Sequence, residues 1–253
     1  MDCPSNLTNL LIDWEHRLEV YSMRCHDFLS AYEKHRSLYL LDEIVTGKGF
    51  KPLDYFYIGE REHSQILADL LSPTGTHGYK TLFLNEFLTH LEIPNLSEND
   101  HWEIWAEAGR VDVLLKRRHP FSVIIIENKS NNARDQDNQL YRYWFQEIYW
   151  PLRHNRDYDY KARDTYLVPE IRQRYRVIYL ATNEAKVPSN LSLAKPDWKE
   201  LDPGLPDTMP IEYEVRIYGE FIKTWLGACL PQISDPNHRL RGFIQTYIDY
   251  WTN

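Results

Sequence analysis

No stretch of this sequence stays apolar for the roughly 18 residues that a membrane span needs, so the chain is not expected to cross a bilayer. Cysteine is scarce. Cys3, Cys25 and Cys229 are odd in number and show no C-x-x-C spacing, which argues against a disulfide framework or a zinc site and fits a reducing compartment. The N-terminal stretch MDCPSNLTNLLIDWEHRLEV carries acids where a secretory leader would carry a basic segment, so a cytoplasmic location is expected. Internal repeats, low-complexity tracts and glycine-serine linkers are all missing. Positive charge is in deficit, with a net charge of −8, which speaks against a generic nucleic-acid coat.

What is there suits one large α/β domain, or a core with appended elements. Of 253 residues, 43% are hydrophobic and 26% charged, enough to build a substantial core. Eight Trp and 18 Tyr add large, half-polar packing units. Such rings can stack on bases, but in an average fold most belong to the core. The charge is uneven: Arg110 to Arg176 holds 14 Lys/Arg against 9 Asp/Glu, so the excess of acid lies elsewhere. That segment can face phosphate, or it can be an ordinary solvated surface.

Residues 6–46 read as helix, with Leu10, Leu11, Trp14, Leu18 and Tyr21, then Leu38, Leu41 and Ile44, at helical spacing and with Gly47 and Gly49 as the stop. A second helix is expected from Glu60 to Leu71, ended by Ser72-Pro73, and a third carries Leu82, Phe83, Phe87 and Leu91 before Pro94. The period then changes. Trp102 to Ala106 and Val111 to Leu115 read as strands joined at Gly109, and Val123-Ile124-Ile125-Ile126 as a central strand buried on both faces. Asp135 to Tyr149 returns to helix, and Arg176 to Thr182 is a fourth strand. The stretches 151–173 and 183–210 read as loops or insertions, and helices are expected near 214–229 and 239–251. The resulting expectation is an α/β fold: a mixed four-stranded core sheet flanked by helices. Its parts are a helical N-terminal extension (1–50), a core (51–182), and a loop with C-terminal helices packing on it (183–253).

Chemistry concentrates where apolar strands end in charge. The isoleucine run leads straight into Glu127-Asn128-Lys129, and alternation puts Glu127 and Lys129 on one face. Asp112 interrupts Val111 and Val113-Leu114-Leu115 in the same way. A carboxylate inside a central strand costs several kcal/mol unless it is paired or metal-bound. A structural Glu–Lys pair would explain Glu127 and Lys129 alone. Adding Asp112 supplies what phosphodiester hydrolysis requires: hard oxygens for Mg²⁺, and a cation beside the attacking water.

The ordered set Arg110-Val111-Asp112, Ile126-Glu127-Asn128-Lys129, Asp135-Gln136 and Gln139-Leu140-x-x-Tyr143 resembles the PD-(D/E)XK nuclease superfamily, with its restriction-endonuclease-like fold. The upstream Glu60-x-x-His63-Ser64-x-Ile66-Leu67-Ala68-x-Leu70-Leu71-x-Pro73, followed by His77-Gly78, resembles a branch of it marked by an E-x-x-H-S helix. Val111 stands where the superfamily name has proline. The resemblance implies that Asp112, Glu127 and the main-chain carbonyl of Asn128 bind the metal, Mg²⁺ with Mn²⁺ as a substitute. It assigns Lys129 to the water and Gln139 to positioning the water or the phosphate. It also places an acid on the first core helix. At about 100° per residue, Glu60 lies roughly 50° from the centre of the apolar stripe and Glu62 roughly 110°, so Glu60 is expected to face the sheet, unless it is simply an acid favoured by the helix dipole. His63 is expected as a hydrogen-bonded core histidine and His77 as a loop-packing one. Arg134 and Arg142 flank Gln139, and Lys116-Arg117-Arg118-His119 is read as a hairpin tip. Both groups either contact phosphate or lie on a solvated surface.

The implied activity is a metal-dependent nuclease, DNA favoured over RNA and an endonuclease favoured, serving defence or repair. The alternative is a catalytically silent or partner-dependent nucleic-acid-binding subunit with the same fold. The helical termini are expected to carry any assembly, with another copy or with a protein partner.

Overall fold

The computed structural model describes residues 5–46, 52–93, 101–154, 174–198 and 203–252. Two compact units divide the chain, Met1–Lys51 and Pro52–Asn253. The first is occupied by α1 (Ser5–Thr46), a single helix of 42 residues. The glycines expected to stop it, Gly47 and Gly49, lie outside the described residues, as do Pro94 and residues 155–173 of the first expected insertion.

The second unit is built on a five-stranded sheet in the order β1-β2-β3-β4-β5. β1 (Trp102–Ala108), β2 (Val111–Arg117) and β3 (Ser122–Lys129) pair antiparallel, then β4 (Tyr175–Ala181) and β5 (Tyr213–Ile217) join in parallel. All eight residues of β3 are buried, as its unbroken apolar run requires of a strand covered on both faces. Gly109 and Arg110 close the first hairpin with both φ angles positive, the twist that tight two-residue loops need.

The fifth strand corrects the four-stranded expectation. Residues 214–217, expected to open a C-terminal helix, instead form a strand with Tyr213, and their alternation of apolar and charged residues is that of a strand. It forms the half-exposed sheet edge, where charges discourage further pairing. Glu214 accepts from Arg176 of β4 and from Arg216, both at 2.7 Å. The helix begins only at Tyr218.

Helices cover both faces. On one lie α2 (Glu60–Leu71) and α3 (Leu82–His90), together with the two C-terminal helices described below, packed on Val113, Leu115, Ile124, Ile126, Ile178 and Leu180. On the other lies α4 (Gln139–Trp144), which continues as a π-helical turn (Phe145–Tyr149) into the short α5 (Trp150–His154). It packs Leu140, Tyr141 and Trp144 over Val123, Ile125 and Val177. The expected start at Asp135 is four residues early. Asn138 adopts a left-handed conformation (φ 58°) just before Gln139, which leaves 133–136 free of helix. A short α6 (Asn190–Leu193) lies within the second expected insertion, and α7 (Tyr218–Cys229) and α8 (His238–Thr252) complete the first layer. Among the described residues no helix is long and apolar enough to cross a membrane.

Candidate active site

The register of β2 on β3 pairs Val113 with Ile126, and carrying it one residue further sets Asp112 against Glu127. A backbone bond fixes this end of the hairpin: the Asn128 N–H donates to Asp112 Oδ2 at 2.6 Å. Glu127 is 1% exposed and Lys129 3%. The Lys129 ammonium lies 2.6 Å from Glu127 Oε1 and 3.5 Å from Asp135 Oδ1. Glu127 Oε2 is buried without a hydrogen bond of good geometry: the Tyr143 hydroxyl stands beside the carboxylate but gives its proton to the Arg110 carbonyl.

Half-buried Asp112 and buried Glu127 thus share one lysine. Burial, and then the neighbouring Glu127 charge, push the Asp112 carboxyl up to about 8. Burial also raises Glu127, against the pull of the Lys129 ammonium. For Lys129, burial acts to lower the pKa, but Glu127 and Asp135 outweigh it and the net shift is upward. The lysine stays charged, and the two carboxyls compete for too little positive charge.

Gln139 joins the same cluster. Its Oε1 accepts from Lys129 Nζ at 3.5 Å and from Gln136 N at 3.2 Å, and its Nε2 donates to the Tyr143 hydroxyl at 2.9 Å. That hydroxyl donates in turn to the Arg110 carbonyl. The Gln139 side chain therefore braces the lysine and ties α4 to the β1–β2 turn. Glu60 stands at the rim, half-buried, its Oε1 accepting from Asn131 N at 3.4 Å. Glu62 is exposed and reaches back to cap the Gly59 N–H at 2.9 Å, so the two acids sit as the helical phase predicted.

Asn128 points to the opposite face. Its Nδ2 donates to the Glu60 carbonyl (2.7 Å) and Ser64 Oγ (2.9 Å), and its Oδ1 accepts from Ser130 N (3.0 Å) and the Tyr218 hydroxyl (2.8 Å). His63, beside it on α2, is a core histidine as expected. It is fully buried, bonded through Nδ1 to the Tyr247 hydroxyl at 3.0 Å, and ringed by Tyr218, Tyr250 and Trp251. His77 packs its loop, with Nδ1 accepting from Tyr79 N and Nε2 meeting the Ser72 carbonyl.

The basic hairpin tip, read as either a phosphate contact or a solvated surface, stands away from the acid pair. The tip lies at the other end of β2, five residues from Asp112, or about 17 Å along the strand. Lys116 is paired with Glu147, and Arg117 is buried, bonded to Pro120 O and Ser122 Oγ and stacked over Trp102. Arg118 is exposed and pairs with Glu103 at 3.3 Å.

The sequence reading missed three features. Asp135, taken as the start of a helix, accepts from the Tyr179 hydroxyl and Ser189 N, each at 2.7 Å, and holds the far side of Lys129. Tyr179 stands opposite Glu127 in the parallel register, which becomes visible only once β3 and β4 are aligned. Arg110, which the sequence offers only as part of the motif around Asp112, lines a cleft of about 390 Å³ with Arg142, Tyr143, Gln146 and Trp198.

A hard divalent cation fits this site. The unpartnered Glu127 oxygen and the strained protonation of Asp112 both mark missing positive charge, and the donors are oxygens of the type such ions prefer. Among the described residues no three His, Cys, Asp or Glu side chains converge as ligands, so beyond two carboxylates the remaining ligands would be main-chain carbonyl and water. A family model of the PD-(D/E)XK nuclease superfamily matches residues 53–249. No curated protein and no solved structure matches the chain.

Proposed function

The chain belongs to the PD-(D/E)XK nuclease superfamily, and from that premise we propose that it is a Mg²⁺-dependent nuclease, with DNA favoured over RNA and Mn²⁺ able to replace Mg²⁺. The observation that carries this reading is the pairing of half-buried Asp112 with buried Glu127, one carboxylate oxygen left unpartnered beside Lys129. Asp112, Glu127 and the Asn128 carbonyl would hold the ion, which when bound polarises the phosphate and acidifies a water ligand.

The rest follows from the chain's own groups. Lys129 is fixed from both sides by Glu127 and Asp135, so its ammonium is presented in one place to orient the water and to offset the growing charge on phosphate. Gln139 keeps the lysine from swinging away. Arg110 and Arg142 line the cleft above buried Tyr143, where they would grip the nucleic-acid backbone. Glu60 adds negative charge at the rim. Assembly through the helical termini belongs to the same reading.

Cleavage of single-stranded, duplex and structured nucleic acids, titrated with Mg²⁺ or Mn²⁺, tests it. Asp112→Ala and Glu127→Ala are expected to abolish cutting, and Lys129→Ala to lower turnover far more than metal affinity. Near-normal rates for either acid variant at saturating Mg²⁺ would remove the reading.

A further inference from the structure

Within its own unit, the helix α1 carries an apolar face that no described residue covers. Trp14, Leu18, Tyr21, Cys25, Phe28 and Tyr32 follow one another at steps of four, three, four, three and four residues. The five largest are between 51% and 70% exposed, and Cys25 is exposed as well. In the sequence, Leu11 and Tyr39 continue the spacing, with His35 as its one polar member. From 11 to 39 the pattern therefore keeps a period of seven. A helix lying on a globular core shows a broader stripe with the 3.6-residue period, whereas a strict seven-residue repeat keeps a narrow seam facing another helix along its whole length.

We propose that this seam pairs with the same helix of a second copy of the chain, as a two-stranded coiled coil. Two features favour a copy of itself. Between Leu11 and Tyr32 the seam carries no charged side chain, so self-pairing buries no like charges. The area is also sufficient: aromatic side chains bury about 150–250 Å² each, and the four in the seam, doubled by symmetry, supply roughly 1,200 Å² or more. That is the size of an ordinary specific interface. At about 1.5 Å per residue the helix spans about 63 Å, long enough for several heptads. The pairing deepens the assembly through the helical termini proposed above, and because it is measured without activity it can fail while the nuclease reading stands, or hold while that reading fails.

Sedimentation velocity of the full chain across the micromolar range is expected to show a dimer. The Tyr21→Glu/Phe28→Glu double variant should sediment as a monomer with an unchanged thermal transition of the Pro52–Asn253 unit. Ser30→Glu, an exposed position outside the seam, should remain a dimer. Alkylation of Cys25, followed by peptide mass, should be at least tenfold slower in the wild type than in the double variant. A monomeric wild type, whether its seam is bare, folded back or reserved for another protein, overturns the proposal. So does a double variant that stays dimeric, or a Cys25 that reacts equally fast in both.

Discussion

At the end of β3 the chain alternates between two environments within three residues. Asn128 faces the α2 and α7 layer, where all of its side-chain hydrogen-bonding capacity meets a partner and nothing carries charge. Glu127 and Lys129 face α4, where charged groups are buried, one carboxylate oxygen has no partner and Asp112 is forced up to about 8. The two faces share strand, burial and neighbours in sequence, so burial alone does not separate them. Charge does. The Asn128 face also leaves His63 Nε2 and Trp251 Nε1 without a partner, but burial keeps His63 neutral there, whereas the other face holds carboxyls short of compensating charge, the condition that a cation would relieve.

The sharpest way to break this comparison is to neutralise the charged side. Asp112→Asn and Glu127→Gln keep shape and most hydrogen-bonding capacity while removing charge. Each is expected to lower cleavage by about 10²–10³-fold, the size of a lost electrostatic contact in an active site. Asp112→Asn should leave the melting temperature of the metal-free protein equal or higher, because the fold disfavours that carboxylate, whereas Glu127→Gln breaks the buried ion pair with Lys129 and should lower it. Rising pH should act in the opposite sense. Metal binding must expel the Asp112 proton, so affinity should climb by up to about tenfold per pH unit as pH rises towards about 8 and then level off. Calorimetry in buffers of different ionisation heat measures the released proton. A pH-independent affinity would mean that Asp112 is not a ligand.

On the uncharged side the effect falls on stability. Asn128→Ala leaves Tyr218 and Ser64 without their buried partner and should cost about 3 kcal/mol of stability. Metal affinity below the melting transition should stay within a few-fold, since the residue's main chain remains. A variant that melts like wild type but has lost the metal would place the Asn128 side chain in the active site.

His63 tests whether this face tolerates charge at all. Burial lowers its pKa from 6.5 to about 4. Between those values the unfolded chain takes up a proton that the folded one refuses, so stability is intact above about 6.5 and drains away as pH falls to about 4. The full difference is about 3 kcal/mol. His63→Gln keeps a polar partner for Tyr247 without a titrating group, and its stability should fall less steeply over that window. Equal slopes in chemical denaturation would show that His63 is not what makes the core acid-sensitive.

How much of this was legible in the sequence follows the same division. The charged face could be read, because acids that break apolar strands violate a local pattern, and Asp112, Glu127 and Lys129 do so within a few residues of strand. The cradle behind them could not. Asp135 holds Lys129 only because Asn138 delays α4 and lets the preceding loop stay extended, and Tyr179 meets Glu127 only through a parallel register that no local spacing encodes. Only the main chain of Asn128 was given a role from the sequence, since the four partners of its side chain lie on elements as distant as Glu60 and Tyr218. The basic cluster at 116–118 misled for a related reason: composition placed charge on a hairpin, but only the strand direction shows which end of the sheet it occupies. β5 was missed because five alternating residues abut a long helical pattern that absorbs them.

The smallest expected effect separates two acids one turn of thought apart on α2. Glu62 sits at the third helical position, and its carboxylate accepts from the Gly59 N–H. Glutamine serves the same reach-back role in a capping box, so Glu62→Gln should leave stability and cleavage close to wild type. Glu60 lies over the end of β3, half-buried beside the Asn131 N–H, and its charge bears on Tyr179, the residue paired with Glu127. Glu60→Gln removes that charge from the rim without removing a ligand from the acid pair. A loss of a few-fold in turnover, with unchanged melting temperature, is therefore expected for Glu60→Gln and not for Glu62→Gln. Steady-state rates at saturating metal measure both. Equal rates for the two variants would mean that Glu60 only starts a helix, and that the charged face ends at Asp112 and Glu127.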